Sequence, residues 1–213
     1  MIPKLHYISQ GSSPAAHLEN IQNACNSGAE LVQLRLKNTS EKKLLTCAHE
    51  AREITAQFQT RLLINDHYKI AKEVKADGVH LGPTDACPSM ARRYLYTWQI
   101  IGGTAHTLQE CETLLIKGVD YISIGPFRST TTKEQLPPVL GLDGYKTITE
   151  ALQADTPLIA VGGITTADVT SLLETGISGI AVSGAITHDF NTIPTFHQLL
   201  KASSTAEQRY TFK

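Results

Sequence analysis

A chain of 213 residues with 19 Lys and Arg against 20 Asp and Glu has a net charge of −1. It carries no electrostatic footprint for nucleic acid or an anionic membrane, so its expected partners are small molecules, and a homo-oligomer is left open. No run approaches the roughly 20 apolar residues of a membrane span, and the N-terminus lacks the pattern of a signal peptide, which reads as a soluble, cytoplasmic protein.

Eight short, nearly continuous apolar runs follow one another along the chain: 4–9, 30–35, 61–65, 78–81, 98–103, 120–125, 157–163 and 179–184. Continuity in place of strict alternation suits parallel strands covered on both faces. Amphipathic stretches lie between them. Ser40–Phe58 has apolar residues at helical spacing, a weaker pattern spans Cys87–Tyr96, and His106–Gly118 ends in a glycine stop. Thr165–Gly176 repeats that form, with Thr166 as its expected N-cap. Strand then helix, eight times over, predicts an α/β single-domain (β/α)8 TIM barrel across residues 1–213. Composition does not decide whether the polar tail from about residue 203 frays or is pinned by Tyr210 and Phe212. The cysteines Cys25, Cys47, Cys87 and Cys111 have no C-x-x-C or His neighbour at metal-ligand spacing and read as buried thiols.

In such a barrel the functional residues gather at the C-terminal ends of the strands. The second run ends "QLRLK", so Gln33, Arg35 and Lys37 alternate onto one side; an anion at the mouth or a salt-bridged surface strand end would each account for them. Asn65 and Asp66 close the third run and Asp85 follows the fourth. Two carboxylates on adjacent strands suit a hard cation such as Mg²⁺ that keeps ligand oxygens of its own, although Asp66 also stands where a helix N-cap would. The fifth run delivers Thr104 and His106, the latter read as structural. After the sixth, "GPFRSTTTKE" sets Thr130, Thr132 and Lys133 on a polar loop, and the Gly-containing ends "VGGI" and "AVSG" of the last two runs read as a phosphate grip.

Taken in order, "QLRLK", "NDH", "DGVHLGPTD", "GGTAHT", "GPFRSTTTKE", "PPVLGLDG", "AVGGI" and "GIAVSGAI" resemble the thiamine phosphate synthase (thiamine-phosphate pyrophosphorylase) family from about Tyr7 to Ile186. The resemblance implies a transferase that condenses hydroxymethylpyrimidine diphosphate with a thiazole phosphate, releasing diphosphate by a dissociative path. It further implies that Gln33, Leu34, Arg35, Leu36, Lys37, Asn65, Thr104 and Lys133 bind the pyrimidine diphosphate, with Arg35, Lys37 and Lys133 catalytic. Asp66 and Asp85 would hold Mg²⁺. Thr130, Thr131, Thr132, Gly163, Ser183 and Gly184 would bind the thiazole phosphate. Some positions depart from the family's pattern: Leu36, His67 and Pro83 replace Glu, Arg and Gln, Thr104 replaces Ser, "FRST" replaces a Pro-containing segment, and "AVSGAI" shifts a hydroxyl by one residue. A thiazole tautomerase on the same barrel is the nearest rival, but it would carry His at Pro126; a non-catalytic regulator would be expected to lose Asp66, Asp85 or Lys133.

Overall fold

The computed structural model describes residues 1–129 and 138–210, the last eight of these in backbone only. Eight parallel strands close in chain order, with β8 returning to β1. They are β1 (Leu5–Ile8), β2 (Leu31–Leu34), β3 (Arg61–Asn65), β4 (Gly78–Leu81), β5 (Ile100–Ala105), β6 (Tyr121–Ile124), β7 (Leu158–Val161) and β8 (Gly179–Val182). The helices are α1 (Pro14–Asn26), α2 (Glu41–Gln57), α3 (Tyr68–Glu73), α4 (Pro88–Tyr94), α5 (Leu108–Ile116), α6 (Gly141–Leu152), α7 (Val169–Glu174), α8 (Gly184–His188) and α9 (Thr192–Tyr210). The expected (β/α)8 barrel is therefore present, and α9 carries the backbone of the polar tail as helix to Tyr210.

Local chemistry sets where these helices begin. The hydroxyls of Ser13, Ser40 and Thr107 accept the N–H groups of Ala16, Lys43 and Glu110, satisfying donors that the first turns of α1, α2 and α5 cannot pair internally. Ahead of α7 the cap is Thr165 and not Thr166. A short 3₁₀ turn, Thr166–Asp168, precedes α7, and Asp168 reaches back to the Thr165 N–H in a reciprocal box.

Alternation along each strand separates two cores. Leu5, Val32, Leu34, Leu62, Ile64, Val79, Leu81, Ile122, Ile124, Ala160 and Ile180 face the helices in one large buried cluster. Leu31, Leu63, Tyr121, Ile159 and Ala181 form a second, smaller cluster inside the barrel. Tyr121 is fully buried there, and its ring occupies the space a side chain on Gly102 would need: a Cβ at that glycine would lie 2.0 Å from Tyr121 Cζ. Gly162 combines a close approach with a left-handed backbone, at φ +110°, where a Cβ would stand 2.7 Å from Pro126 Cβ.

The inner core also holds a buried histidine. His6 packs edge-on against Tyr121, and its Nε2 lies 3.0 Å from the Pro3 carbonyl. Burial away from water opposes the imidazolium and pushes its pKa from the ordinary 6.5 to about 4, the hydrogen bond to Pro3 only partly countering this. Between those values the unfolded chain binds a proton that the folded chain refuses. Stability should therefore fall as the pH drops from 6.5 to 4, by as much as about 3 kcal/mol from this residue, and its contribution should level off below. Urea unfolding of wild type and His6→Gln across that range checks this: a shallower slope in the variant is expected, and an unchanged slope would assign the effect elsewhere.

Among the described residues no helix is long and apolar enough to cross a membrane. All four cysteines are free; Cys25, Cys47 and Cys111 are buried as expected, while Cys87 is only half-buried.

Candidate active site

Above the apolar inner core, the next inward positions of β2 to β6 are all polar. Gln33 stands beyond Leu31, Asn65 beyond Leu63, His80 beyond Gly78, Thr104 beyond Gly102 and Ser123 beyond Tyr121. Register brings them side by side, with Asn65 paired to His80 and Thr104 to Ser123. Gln33, His80 and Ser123 are buried, whereas Asn65 and Thr104 are half-exposed toward the C-terminal mouth. His80 joins two of its neighbours: Nε2 lies 2.8 Å from Thr104 Oγ1 and Nδ1 lies 2.8 Å from the Tyr121 hydroxyl. Sequence reasoning passed over His80 and Tyr121, although counting two residues at a time along "GVHL" and "DYISI" places both on the inner face.

β2 delivers the cations. Leu34 is fully buried against the helices and Leu36 packs on the same cluster, so each can offer a ligand only its backbone. Arg35 and Lys37 continue past the strand end on the other side of the alternation. The Arg35 N–H donates to Ser9 Oγ at 3.1 Å, and Ser9 Oγ lies 2.8 Å from Nδ1 of the buried His17. Burial lowers the His17 pKa, and the Arg35 charge adds to that, so a neutral ring supports the backbone beneath the guanidinium. Ser9 and His17 are thus supporting residues that the strand-end pattern did not reveal, because their link to Arg35 is tertiary. Among the described residues neither Arg35 nor Lys37 forms an ion pair, so the salt-bridged strand end finds no partner there.

Opposite these cations stand the carboxylates. Asp66 donates its N–H to the His80 carbonyl at 2.8 Å and then turns through φ +66°, a left-handed conformation that few residue types adopt readily. That turn releases its side chain from the ladder. The helix that follows is capped by His67 without any side-chain hydrogen bond, so Asp66 is not an N-cap. His67 Nε2 lies 3.8 Å from Asp66 Oδ2, and among the described residues the carboxylate accepts no hydrogen bond. Partial burial raises the Asp66 pKa, the negative charge of Asp85 raises it further, and His67 and Lys37 only partly offset them. Asp85 Oδ2 accepts the Gly82 N–H at 2.6 Å, which orients the carboxylate and leaves Oδ1 open. The Asp85 charge also works against the burial that lowers the Arg35 pKa, which ties the three side chains into one electrostatic unit.

Two neighbouring carboxylates, the second of which opposes ionisation of the first, suit as oxygen donors a hard divalent cation. No group of three or more His, Cys, Asp or Glu able to hold a metal occurs among the described residues. Mg²⁺ is compatible with that, since it commonly takes one or two carboxylates and completes its shell with water and substrate phosphate oxygens.

Beyond β6 the chain is pinned before it enters the Thr-rich loop. The Tyr145 hydroxyl donates to the Ile124 carbonyl at 2.6 Å, and His106 Nδ1 bonds the Gly125 carbonyl, the structural role expected for that histidine. The Gly125–Pro126 peptide is cis. Phe127 N–H donates to the Val161 carbonyl at 2.9 Å and Leu140 N–H to the Pro126 carbonyl at 3.0 Å, which closes the base of the loop. Thr130, Thr131, Thr132 and Lys133 lie outside the described residues.

On the far side, Gly162 and Gly163 leave β7 with φ of +110° and +67°. The Ser183 hydroxyl donates to the Ile8 carbonyl at 2.8 Å, so it is committed to β1, and what Ser183 and Gly184 can present to an anion is backbone N–H.

Known proteins are similar to this chain in sequence and in fold. The family described as "Thiamine monophosphate synthase" matches residues 5–186. A thiamine-phosphate synthase from Flavobacterium johnsoniae is 43% identical over 190 residues, covering 88% of this chain and 90% of that protein. One from Flavobacterium psychrophilum is 40% identical over 204 residues, covering 94% and 99%. Among solved structures, a thiamine phosphate pyrophosphorylase from Pyrococcus furiosus superposes with a TM-score of 0.79 at 27% identity, covering 93% of this chain and 96% of that one.

Proposed function

Because the chain belongs to the thiamine monophosphate synthase family, we propose that it condenses 4-amino-2-methyl-5-hydroxymethylpyrimidine diphosphate with a thiazole phosphate to give thiamine phosphate and diphosphate. The observation that carries this reading is the mouth of β2 to β4, where strand register sets the ends that carry Arg35 and Lys37, Asn65 and Asp66, and Asp85 side by side. The relatives named thiamine-phosphate synthase favour it over a tautomerase or a regulator.

The chemistry asks little covalent work of the protein. The bond between the pyrimidine methylene and the diphosphate oxygen breaks, its electron pair leaves with the diphosphate, and the thiazole nitrogen supplies the pair for the new bond to carbon. Asp66 and Asp85 would hold Mg²⁺, which would supply positive charge against the diphosphate. Arg35 and Lys37 take up the remaining charge of the leaving group, and Gln33, Asn65 and Thr104 orient the pyrimidine end. Leu34 and Leu36 contribute backbone while their side chains brace the strand end. The amides at Gly163, Ser183 and Gly184, with Thr130, Thr131 and Thr132, hold the thiazole phosphate so that its nitrogen meets the methylene carbon. Positioning of this kind replaces a bimolecular encounter, and fixed charges aimed at the departing diphosphate lower the barrier without reorganisation. A cytoplasmic location fits a reaction whose substrates are both small and phosphorylated.

The test is diphosphate release by purified protein given both substrates and Mg²⁺, with single-substrate and EDTA controls. Release that needs all three, with thiamine phosphate as co-product, is expected; thiazole-phosphate binding without release would overturn the reading. Within that assay, Lys133→Ala should lower turnover at least about tenfold by removing a charge from the leaving group, and wild-type turnover would exclude that role.

A further inference from the structure

Arg128 stands in the segment "FRST", at the foot of the Thr-rich loop, and its contacts run across to the next loop. Its Nη1 donates to the Gly163 carbonyl at 3.0 Å and to Asp168 Oδ2 at 3.0 Å, and its Nη2 donates to Asp168 Oδ1 at 2.6 Å. The guanidinium lies 4.7 Å from the centre of the Phe127 ring, and the Arg128 N–H donates to the Gly162 carbonyl at 3.2 Å. Asp168 is itself anchored, since its Oδ2 also accepts the Thr165 N–H and hydroxyl, each at 2.8 Å. One side chain thus holds both the carbonyl of the second glycine in "VGGI" and the carboxylate that closes the turn after it.

We propose that Arg128 is a positioning residue for the thiazole phosphate, strapping the loop after β7 to the loop after β6 so that the Gly163 segment presents its amides in one fixed orientation. This rests on the synthase reading given above. Gly162 and Gly163 both have left-handed φ, a region glycine visits freely and leaves freely, so nothing intrinsic to these two residues holds the loop in one shape. A peptide unit is planar, and fixing the Gly163 carbonyl on Arg128 fixes the Ile164 N–H on the opposite side of the same plane. The fork of Arg is suited to this because it grips a carboxylate with two parallel bonds and still reaches a carbonyl; a Lys ammonium cannot reproduce that geometry. Asp168 stays ionised: burial works against its charge, but the bonds from Arg128 and Thr165 outweigh that and hold its pKa below the usual carboxylate range. The Arg128 side chain is 45% exposed and that of Asp168 13%, and water around the exposed guanidinium screens the pair and limits its contribution to global stability. The strap should therefore register in ligand binding more than in thermal unfolding.

Steady-state kinetics on Arg128→Lys, Arg128→Ala, Asp168→Asn and the Arg128→Ala/Asp168→Asn double variant test this, with melting temperatures measured alongside. Each single variant should raise KM for the thiazole phosphate about tenfold, leave KM for the pyrimidine diphosphate within about twofold, and the double variant should be no worse than the singles, as two ends of one contact require. An unchanged thiazole-phosphate KM in Arg128→Ala would overturn the proposal. So would a rise in Arg128→Ala that Asp168→Asn does not share, which would mark direct contact between Arg128 and the phosphate, or a loss of both KM values in step with melting temperature. If the wild type releases no diphosphate, the functional reading fails instead. Calorimetric binding of the thiazole phosphate to wild type and Arg128→Ala then decides the strap by itself: weaker binding in the variant supports it and equal binding overturns it.

Discussion

Arg35→Ala is expected to lower kcat/KM for the pyrimidine diphosphate by about two to three orders of magnitude, the loss seen when a preorganised group is removed from developing charge. The expectation follows from placement. The Arg35 guanidinium is partly desolvated, which burial signals by lowering its pKa, and the only charge that compensates it from the described residues is that of Asp85. A cation held in that state has its interaction energy in reserve for an incoming anion, where the low local dielectric makes it worth more than on an open surface. Arg35→Lys separates charge from shape: it keeps the positive charge and loses the fork, so it should recover part of the loss without reaching wild type. Because the Arg35 contact to Ser9 is made by its backbone N–H, neither substitution removes it, and melting temperature should move little. A variant with full kcat/KM would remove Arg35 from the reaction.

Asp66→Asn and Asp85→Asn should each raise the Mg²⁺ concentration for half-maximal rate at least about tenfold, since the amide keeps an oxygen but gives up the charge that attracts a hard cation. A second outcome accompanies the first. The folded-state pKa of Asp66 is raised, by burial and then by Asp85, so at neutral pH its ionised form is a cost to folding that either substitution relieves. In EDTA Asp66→Asn should melt no lower than wild type while its activity falls; Asp85→Asn also gives up the charge that compensates Arg35 and should not share that gain. Such opposition of stability and activity is what a site strained for its ligand shows. Equal Mg²⁺ dependence in wild type and both variants would dismiss the pair as metal ligands.

Much of the barrel was legible before the structure, because its strands are buried on both faces and announce themselves as apolar runs between helical patterns. The boundaries were less so. The fifth run was read from Trp98, yet β5 begins at Ile100. Trp98 is exposed and stacked on Tyr96, while the Gln99 side chain donates to the Ala71 and Ala76 carbonyls and ties the preceding turn to α3. A hydrophobic residue outside the core and a polar one inside it invert the signal that periodicity uses. The seventh run was read through Gly163 and ends at Val161, because two glycines with left-handed φ cannot continue the ladder. Alternation in "QLRLK" correctly divided Gln33, Arg35 and Lys37 from Leu34 and Leu36. Asp66 and Asp85 were readable as a pair from their strand ends, but that Asp66 escapes capping depends on a backbone turn that sequence does not express. The contacts His80–Thr104, Ser9–Arg35 and Arg128–Asp168 join residues distant in sequence, and only strand register and loop docking bring them together.

The Tyr121 ring, seated on Gly102 and surrounded by Leu31, Leu63 and Ile159, seals the barrel beneath the polar tier. With the interior below it filled by apolar side chains, the tier of Gln33, Asn65, His80, Thr104 and Ser123 can be reached only from the C-terminal ends of the strands, so the residue that most firmly fixes where a ligand stops is one that never reacts.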